Sequence, residues 1–246
     1  MTNGRKPVAL WAVPRSISTA FERVFVERGD FKVFHEPFSA SYYYSEKRQS
    51  DRYADQEPKA DYNPETVLAR ILEYKERPVY FKDMALHTKG ILTPEFVSNF
   101  TNTFIIRHPI PVLASLNRFW PDFTLEETGY ALQHELYALA TQNGEEPAIV
   151  EASDLTENPE GIVAAYCEKI AVPFMPEALS WEARKMPDWE MWAEWHTEAE
   201  DSTGIKREPL EDDRELPEGL EDVYEHCRPY YEELYARRLR PVETLP

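Results

Sequence analysis

Hydrophobic positions along this chain switch repeatedly between a strand period and a helix period. Val8, Leu10 and Val13, with Trp11, form a short apolar run that breaks at Pro14; Ile17, Ala20, Phe21, Val24 and Phe25 then recur at helical spacing as far as Gly29. The pattern predicts a strand over 8–13, a helix over 16–28 and a strand over 31–35. A polar and aromatic insertion, read as irregular, fills about 37–62. Beyond it come a helix over 64–76, a strand over 78–82, a short helix near 94–99 and a strand over 103–106. Helices over 110–119 and 124–142, a strand over 148–150 and a helix over 160–170 follow, with a final helix over 217–238. Strands that alternate with helices imply an α/β fold of three layers, α/β/α, whose central parallel sheet gathers ligands at its carboxyl ends. Residues 1–246 read as one domain without repeats, ending in a helical, acidic part over about 172–246.

The turn between the first strand and first helix carries the first candidate chemistry. A helix N-terminus presents unpaired N–H groups and the positive end of the helix dipole, which suit an oxyanion. Arg15, Ser16, Ser18 and Thr19 add a cation and three hydroxyls there, with Ile17 between them. The turn has neither the glycines nor the lysine of G-x-x-x-x-G-K-[ST], so it is not a nucleotide triphosphatase loop. A second strand, Thr103 to Ile106, runs into Arg107, a proline turn at Pro109 and a helix bearing Ser115. A forked guanidinium and a hydroxyl on the following helix suit a second phosphate.

PRSISTA resembles the 5′-phosphosulfate loop of sulfotransferases that use 3′-phosphoadenosine 5′-phosphosulfate (PAPS), commonly P-[KR]-[ST]-G-[ST]-T, with Arg15 on the basic position and Ile17 where glycine is common. Arg107, Pro109 and Ser115 match the family's 3′-phosphate pattern R-x-P-x-x-x-x-x-S. AIVEASDLTENP is similar to the family's [YV]-E-D-L-x-x-x-P segment, which is structural there; Asp154 or Thr156 is expected to cap or precede the next helix. The resemblance spans roughly 6–160 and implies a P-loop-like sulfotransferase fold, PAPS as donor, no metal and a small-molecule acceptor. It also implies cofactor contacts at Arg15, Ser16, Ile17, Ser18, Thr19, Arg107 and Ser115. Ser202, Thr203 and Gly204, followed by Lys206, resemble the family's late glycine-containing loop over the 3′-phosphate.

Sulfuryl transfer needs a base for the acceptor and positive charge where the leaving phosphate forms. Arg15 supplies the charge. Candidate bases stand near strand ends: Glu36 first, since bacterial members place a glutamate after the second strand, then His87, with His35 third. Strand alternation predicts that only one of His35 and Glu36 faces the cleft. Tyr42, Tyr43 and Tyr44 make the insertion a candidate acceptor lid for a cationic or aromatic molecule, whereas Trp189, Trp192 and Trp195 step by three as a packed helical face. The competing readings are a non-catalytic binding protein for a phosphorylated nucleotide and a small-molecule kinase.

Composition narrows the partners. The formal net charge of −18 opposes nucleic acid and anionic membranes, although Arg15, Arg23, Lys82, Lys89, Arg107 and Arg118 gather in the proposed cofactor half. Hydrophobic content of 42% is enough for a full core, no apolar run approaches a membrane span and no signal-peptide core is present. Cys167 and Cys227 suggest neither a disulfide framework nor a metal cluster. A cytoplasmic location is the expectation; oligomeric state is not legible.

Overall fold

The computed structural model describes residues 4–205 and 215–242. Five parallel strands, β1 (Val8–Ala12), β2 (Lys32–His35), β3 (Val79–Met84), β4 (Thr101–Ile106) and β5 (Ala148–Glu151), lie in the order β2-β3-β1-β4-β5. Every residue of β1 is buried. Its alternate side chains feed two cores: Ala9 and Trp11 on one face, Val8, Leu10 and Ala12 on the other. Trp11 sits edge-on to Phe81 at 5.3 Å and donates its indole N–H to Asn102 Oδ1 at 2.9 Å, so the largest buried ring keeps its polar atom paired.

Helix α1 (Ser18–Arg28) supplies Phe21, Val24 and Phe25 to the second core, which α8 (Pro159–Lys169) completes. The opposite face is covered by α3 (Pro64–Glu73), α4 (Pro94–Ser98), α5 (Pro109–Phe119), α6 (Tyr130–Gln142) and α10 (Glu221–Ala236). Because β1 continues into α1 on one face and β4 into α5 on the other, a crevice opens between their carboxyl ends. Gln133 of α6 closes its floor by donating to the carbonyls of Trp11 and Ile105, both at 2.9 Å. Among the described residues no helix is long and apolar enough to cross a membrane.

Several boundaries differ from the sequence expectation. Helix α1 starts at Ser18 because Arg15 and Ile17 have φ of 59° and 57°. Helix α6 starts at Tyr130 because Gly129, at φ 78°, separates it from a short 3-10 turn over Glu126–Thr128. Helix α10 begins at Glu221 rather than 217. The insertion is not irregular throughout: it contains helix α2 (Ser39–Tyr44), whose residues Ser39 to Tyr43 are buried. It is tied down by Arg52, which makes a bidentate pair with Glu127 at 2.8 Å and lies over the Trp120 ring. An additional short helix, α7 (Ala152–Glu157), is capped by Glu151, and Asn158 caps α8; Asp154 and Thr156 precede α8, as expected, without capping it. Both cysteines are buried and free, and Lys206 lies outside the described residues.

Candidate active site

The turn after β1 is held open from within. Ser16 donates to Val13 O at 2.7 Å, and Arg107, at the end of β4, donates to Arg15 O at 2.9 Å. Ile17 therefore occupies the left-handed region where glycine is the usual residue, a strain of roughly 1–3 kcal/mol that the packed surroundings hold in place. No side chain caps α1 at Ile17, so the first N–H groups of the helix face the crevice.

A cavity of about 390 Å³ opens at this point. One wall comprises Arg15, Ser16, Ile17, Ser18 and Thr19 with Arg107 and Ser115; Arg15 Nε donates to Ser115 Oγ at 3.0 Å, which joins the two sequence motifs directly. The Arg15 guanidinium also lies 5.0 Å from the Phe119 ring centre. Glu36, His87, Met84 and Leu86 also line the cavity, together with the aromatic rings of Tyr43, Trp120, Trp192 and Trp195.

Glu36 and His87 occupy contrasting environments. Lys82, fully buried on β3, places Nζ 2.5 Å from Glu36 Oε1. Burial pushes the Glu36 carboxyl up, but Lys82, aided by His35, His196 and His87, overrides it and holds the group well below the carboxylate range. His87 instead has Nδ1 2.7 Å from Asp83 Oδ1, and Asp83 is itself fixed by the N–H groups of Phe38 (2.6 Å) and Met84 (2.8 Å). Burial raises the Asp83 carboxyl above its ordinary value. A carboxylate behind Nδ1 keeps the proton there, so Nε2 is the basic nitrogen of a ring that lines the cavity.

Strand alternation separates His35 from Glu36 at the cavity, which Glu36 lines and His35 does not, although the two side chains stay close. Glu36 has φ 39°, so the chain turns sharply after β2 and His35 Nε2 comes within 3.8 Å of Glu36 Oε1. His35 does not line the main cavity, however, and faces a smaller one with Glu22 and Trp189. The residue that sequence reasoning missed is His196 on α9 (Ala193–Asp201), which lines the cavity, contacts Thr19 Oγ1 at 3.4 Å and His35 Nε2 at 2.9 Å. No local motif marks it. Of the late loop, Ser202 lines the cavity, whereas Thr203 and Gly204 do not: Thr203 O accepts from Trp181 N, and Gly204 pairs with Ser180 as an isolated bridge. The tryptophans divide between a 3-10 turn (Pro187–Trp192) and α9, with Trp192 donating to Ser39 Oγ at 3.1 Å and Trp195 lining the cavity.

His35, Glu36 and His196 bring three donor atoms within 4.8 Å, a set able in principle to hold a metal ion. The Lys82 ammonium already neutralises Glu36, and a second cation at that carboxylate would meet its repulsion.

Comparison with known proteins agrees with this geometry. The family model described as "Sulfotransferase domain" matches residues 6–238. Two Arabidopsis thaliana proteins, branched-chain-amino-acid aminotransferase-like proteins 2 and 1, are 28% and 29% identical over 224 and 226 residues, in each case 90% of this chain. The chain spans only 40% of their length. The sulfotransferase domain of the Synechococcus PCC 7002 olefin synthase has a TM-score of 0.57 at 13% identity, covering 97% of this chain and 98% of that one. The corresponding domain of the curacin biosynthetic pathway has a TM-score of 0.60 at 14% identity, covering 97% and 100%. With its parallel sheet and a match that takes in every element from β1 through α10, this chain belongs to the sulfotransferase domain family.

Proposed function

We propose that the protein transfers a sulfuryl group from PAPS to a hydroxyl or amine of a small molecule. The observation that carries the reading is that Arg15, the uncapped start of α1, Arg107 and Ser115 share one cavity with Glu36 and His87. PAPS supplies the sulfuryl group and a leaving phosphate. Arg15, Ser16, Ser18 and Thr19, with the N–H groups of the α1 start, hold the phosphosulfate end and offset the charge that grows on the leaving oxygen. Arg107 and Ser115 hold the 3′-phosphate.

His87 takes the acceptor's proton at Nε2 while Asp83 steadies the resulting imidazolium. Glu36, expected first from sequence, is kept ionised by Lys82 and is the poorer base; its charge holds the Lys82 ammonium beside Thr19 (3.4 Å). Tyr43, Trp120 and Trp192 favour an acceptor with a flat apolar part. Release of 3′-phosphoadenosine 5′-phosphate (PAP) from PAPS across a panel of hydroxyl and amine acceptors tests the assignment. Acceptor-dependent release that His87→Asn abolishes supports it. Magnesium-dependent ATP turnover without PAPS turnover would replace it with a kinase.

A further inference from the structure

Three titratable groups have no part in the reaction as drawn: Glu22 and His196, both buried, and His35, whose side chain is 3% exposed. They form one hydrogen-bond chain with Lys82 and Thr19, and while both imidazoles are neutral the carboxylate at its Glu22 end sets the protons along it. An ammonium only donates and a carboxylate only accepts. Lys82 Nζ donates to Thr19 Oγ1 (3.4 Å), and with both imidazoles neutral and His35 Nδ1–H given to Glu22, His196 Nδ1 is unprotonated and accepts from the Thr19 hydroxyl (3.4 Å). His196, neutral, then carries its proton on Nε2 and donates to His35 Nε2 (2.9 Å), and His35 donates from Nδ1 to Glu22 (3.0 Å). Trp189 also donates to Glu22, at 3.0 Å, and closes the chain.

In this arrangement the Thr19 hydroxyl is aimed inward, at His196. Thr19 lines the cavity at the start of α1, where an oxyanion arrives, yet it cannot donate to one without withdrawing its proton from His196 Nδ1. Reversing the chain instead would bring an unprotonated His35 Nδ1 against the Glu22 carboxylate. One added proton resolves both conflicts. With His35 protonated on both nitrogens between Glu22 and His196, His196 moves its own proton to Nδ1 and donates to Thr19, whose hydroxyl is released towards the anion.

Resting on the reading that an oxyanion fills the Arg15–Thr19 loop, we propose that the His35–His196 pair takes up one proton from solvent when that anion binds, and that His196 is thereby a positioning residue for the Thr19 hydroxyl. The free protein is set against premature uptake: burial and then Lys82, with smaller effects from His35 and Arg15, lower His196 to about 3, against the opposing pull of Glu36. Around the pair stand Arg15, Thr19 and Glu22 from the loop and α1, Glu36 after β2, Lys82 on β3 and Glu198 on α9, which pairs with Arg15 at 3.7 Å. Burial and the nearby Lys82 ammonium keep the pair from charging in the empty site even though carboxylates outnumber cations around it, and a bound polyanion favours the added proton.

Isothermal titration with PAP at pH 8, where its phosphates are fully ionised, measures the uptake when repeated in buffers of different ionisation enthalpy. The slope of observed enthalpy against buffer enthalpy gives protons taken up per PAP bound. Wild type is expected to take up about one proton, and its Kd to weaken about tenfold per pH unit above neutrality. Thr19→Val and His196→Asn are each expected to bind PAP with a slope near zero. Tight PAP binding by the wild type with a zero slope overturns the proton uptake and leaves the sulfotransferase reading standing. Absence of PAP binding overturns that reading first. A wild-type slope of one that persists in Thr19→Val also overturns the assignment, because the proton then lies elsewhere.

Discussion

Glu36→Gln is the perturbation that separates the two roles open to this residue. The carboxylate is 7% exposed, lies 2.5 Å from Lys82, and faces an ammonium whose other close polar neighbour is the Thr19 hydroxyl at 3.4 Å. Glutamine preserves the shape and an accepting oxygen but leaves the Lys82 charge uncompensated in the sheet. Removing one partner of a buried pair costs roughly 3–5 kcal/mol. At roughly 2–4 °C per kcal/mol for a chain of this size, the melting temperature should fall by about 6–20 °C, towards the lower end because the amide oxygen still accepts. The double variant Lys82→Met with Glu36→Gln should recover part of the loss, giving a coupling well above the roughly 0.5 kcal/mol expected of independent sites.

The pH dependence has a definite sign. A carboxyl held below its ordinary value stabilises the fold above that value, 4.5 for Glu36, and the contribution is lost as pH falls through the folded value. Wild type should therefore lose stability steadily below about pH 4.5, and Glu36→Gln should lose less over the same interval. Thermal melts followed by circular dichroism between pH 3 and 8 read both effects. A drop smaller than about 2 °C at neutral pH, or parallel acid profiles for the two proteins, would refute the buried ion pair and restore Glu36 as a free base.

Further outcomes follow from the same geometry. His87→Asn should lower kcat by about 10²–10⁴ with PAP affinity unchanged; an unchanged kcat would remove His87 as base. Arg107→Ala should weaken PAP by about 10–100-fold, the loss expected for charge-assisted hydrogen bonds of roughly 1.5–3 kcal/mol, while AMP affinity changes little in competition assays. Ile17→Gly should shift the melting temperature by no more than about 3 °C, because relief of the left-handed strain offsets the lost packing and the greater entropy of an unfolded glycine; a large destabilisation would show that the loop is unstrained. His196 adds an acid liability, since a buried neutral imidazole lowered to about 3 must resist protonation that the unfolded chain accepts from 6.5 downward. Stability should begin to fall below about pH 6.5 in wild type and only at lower pH in His196→Asn, which comparative melts would detect.

Much of the sheet and the placing of the two turns was legible because each piece is local. Strand, turn and helix follow one another within some twenty residues at both Arg15 and Arg107, so periodicity locates the turns. The contact of Arg15 with Ser115 was not anticipated; it arises because strand ends in such a sheet converge. Of His35 and Glu36 only Glu36 lines the cavity, as the alternation predicted, and the strand ends at His35 as expected; the positive φ at Glu36, which brings the two side chains close, carries no local signal. The tryptophan spacing of three suggested one helical face, but a 3-10 turn shares that period and divides the set between two elements. His196 was invisible for a different reason: it reaches Thr19 and His35 from α9, across separations of 177 and 161 residues, with nothing in its neighbourhood to mark it.

The central claim, that this cavity holds a nucleotide carrying both a 5′ and a 3′ anion, is tested most directly by calorimetric titration of the purified protein with PAP beside ATP and AMP, without added metal. Tight binding of PAP with weak binding of the other two is the predicted result. Equal binding of AMP, or a preference for ATP, would contradict it, because Arg107 and Ser115 would then hold no 3′-phosphate.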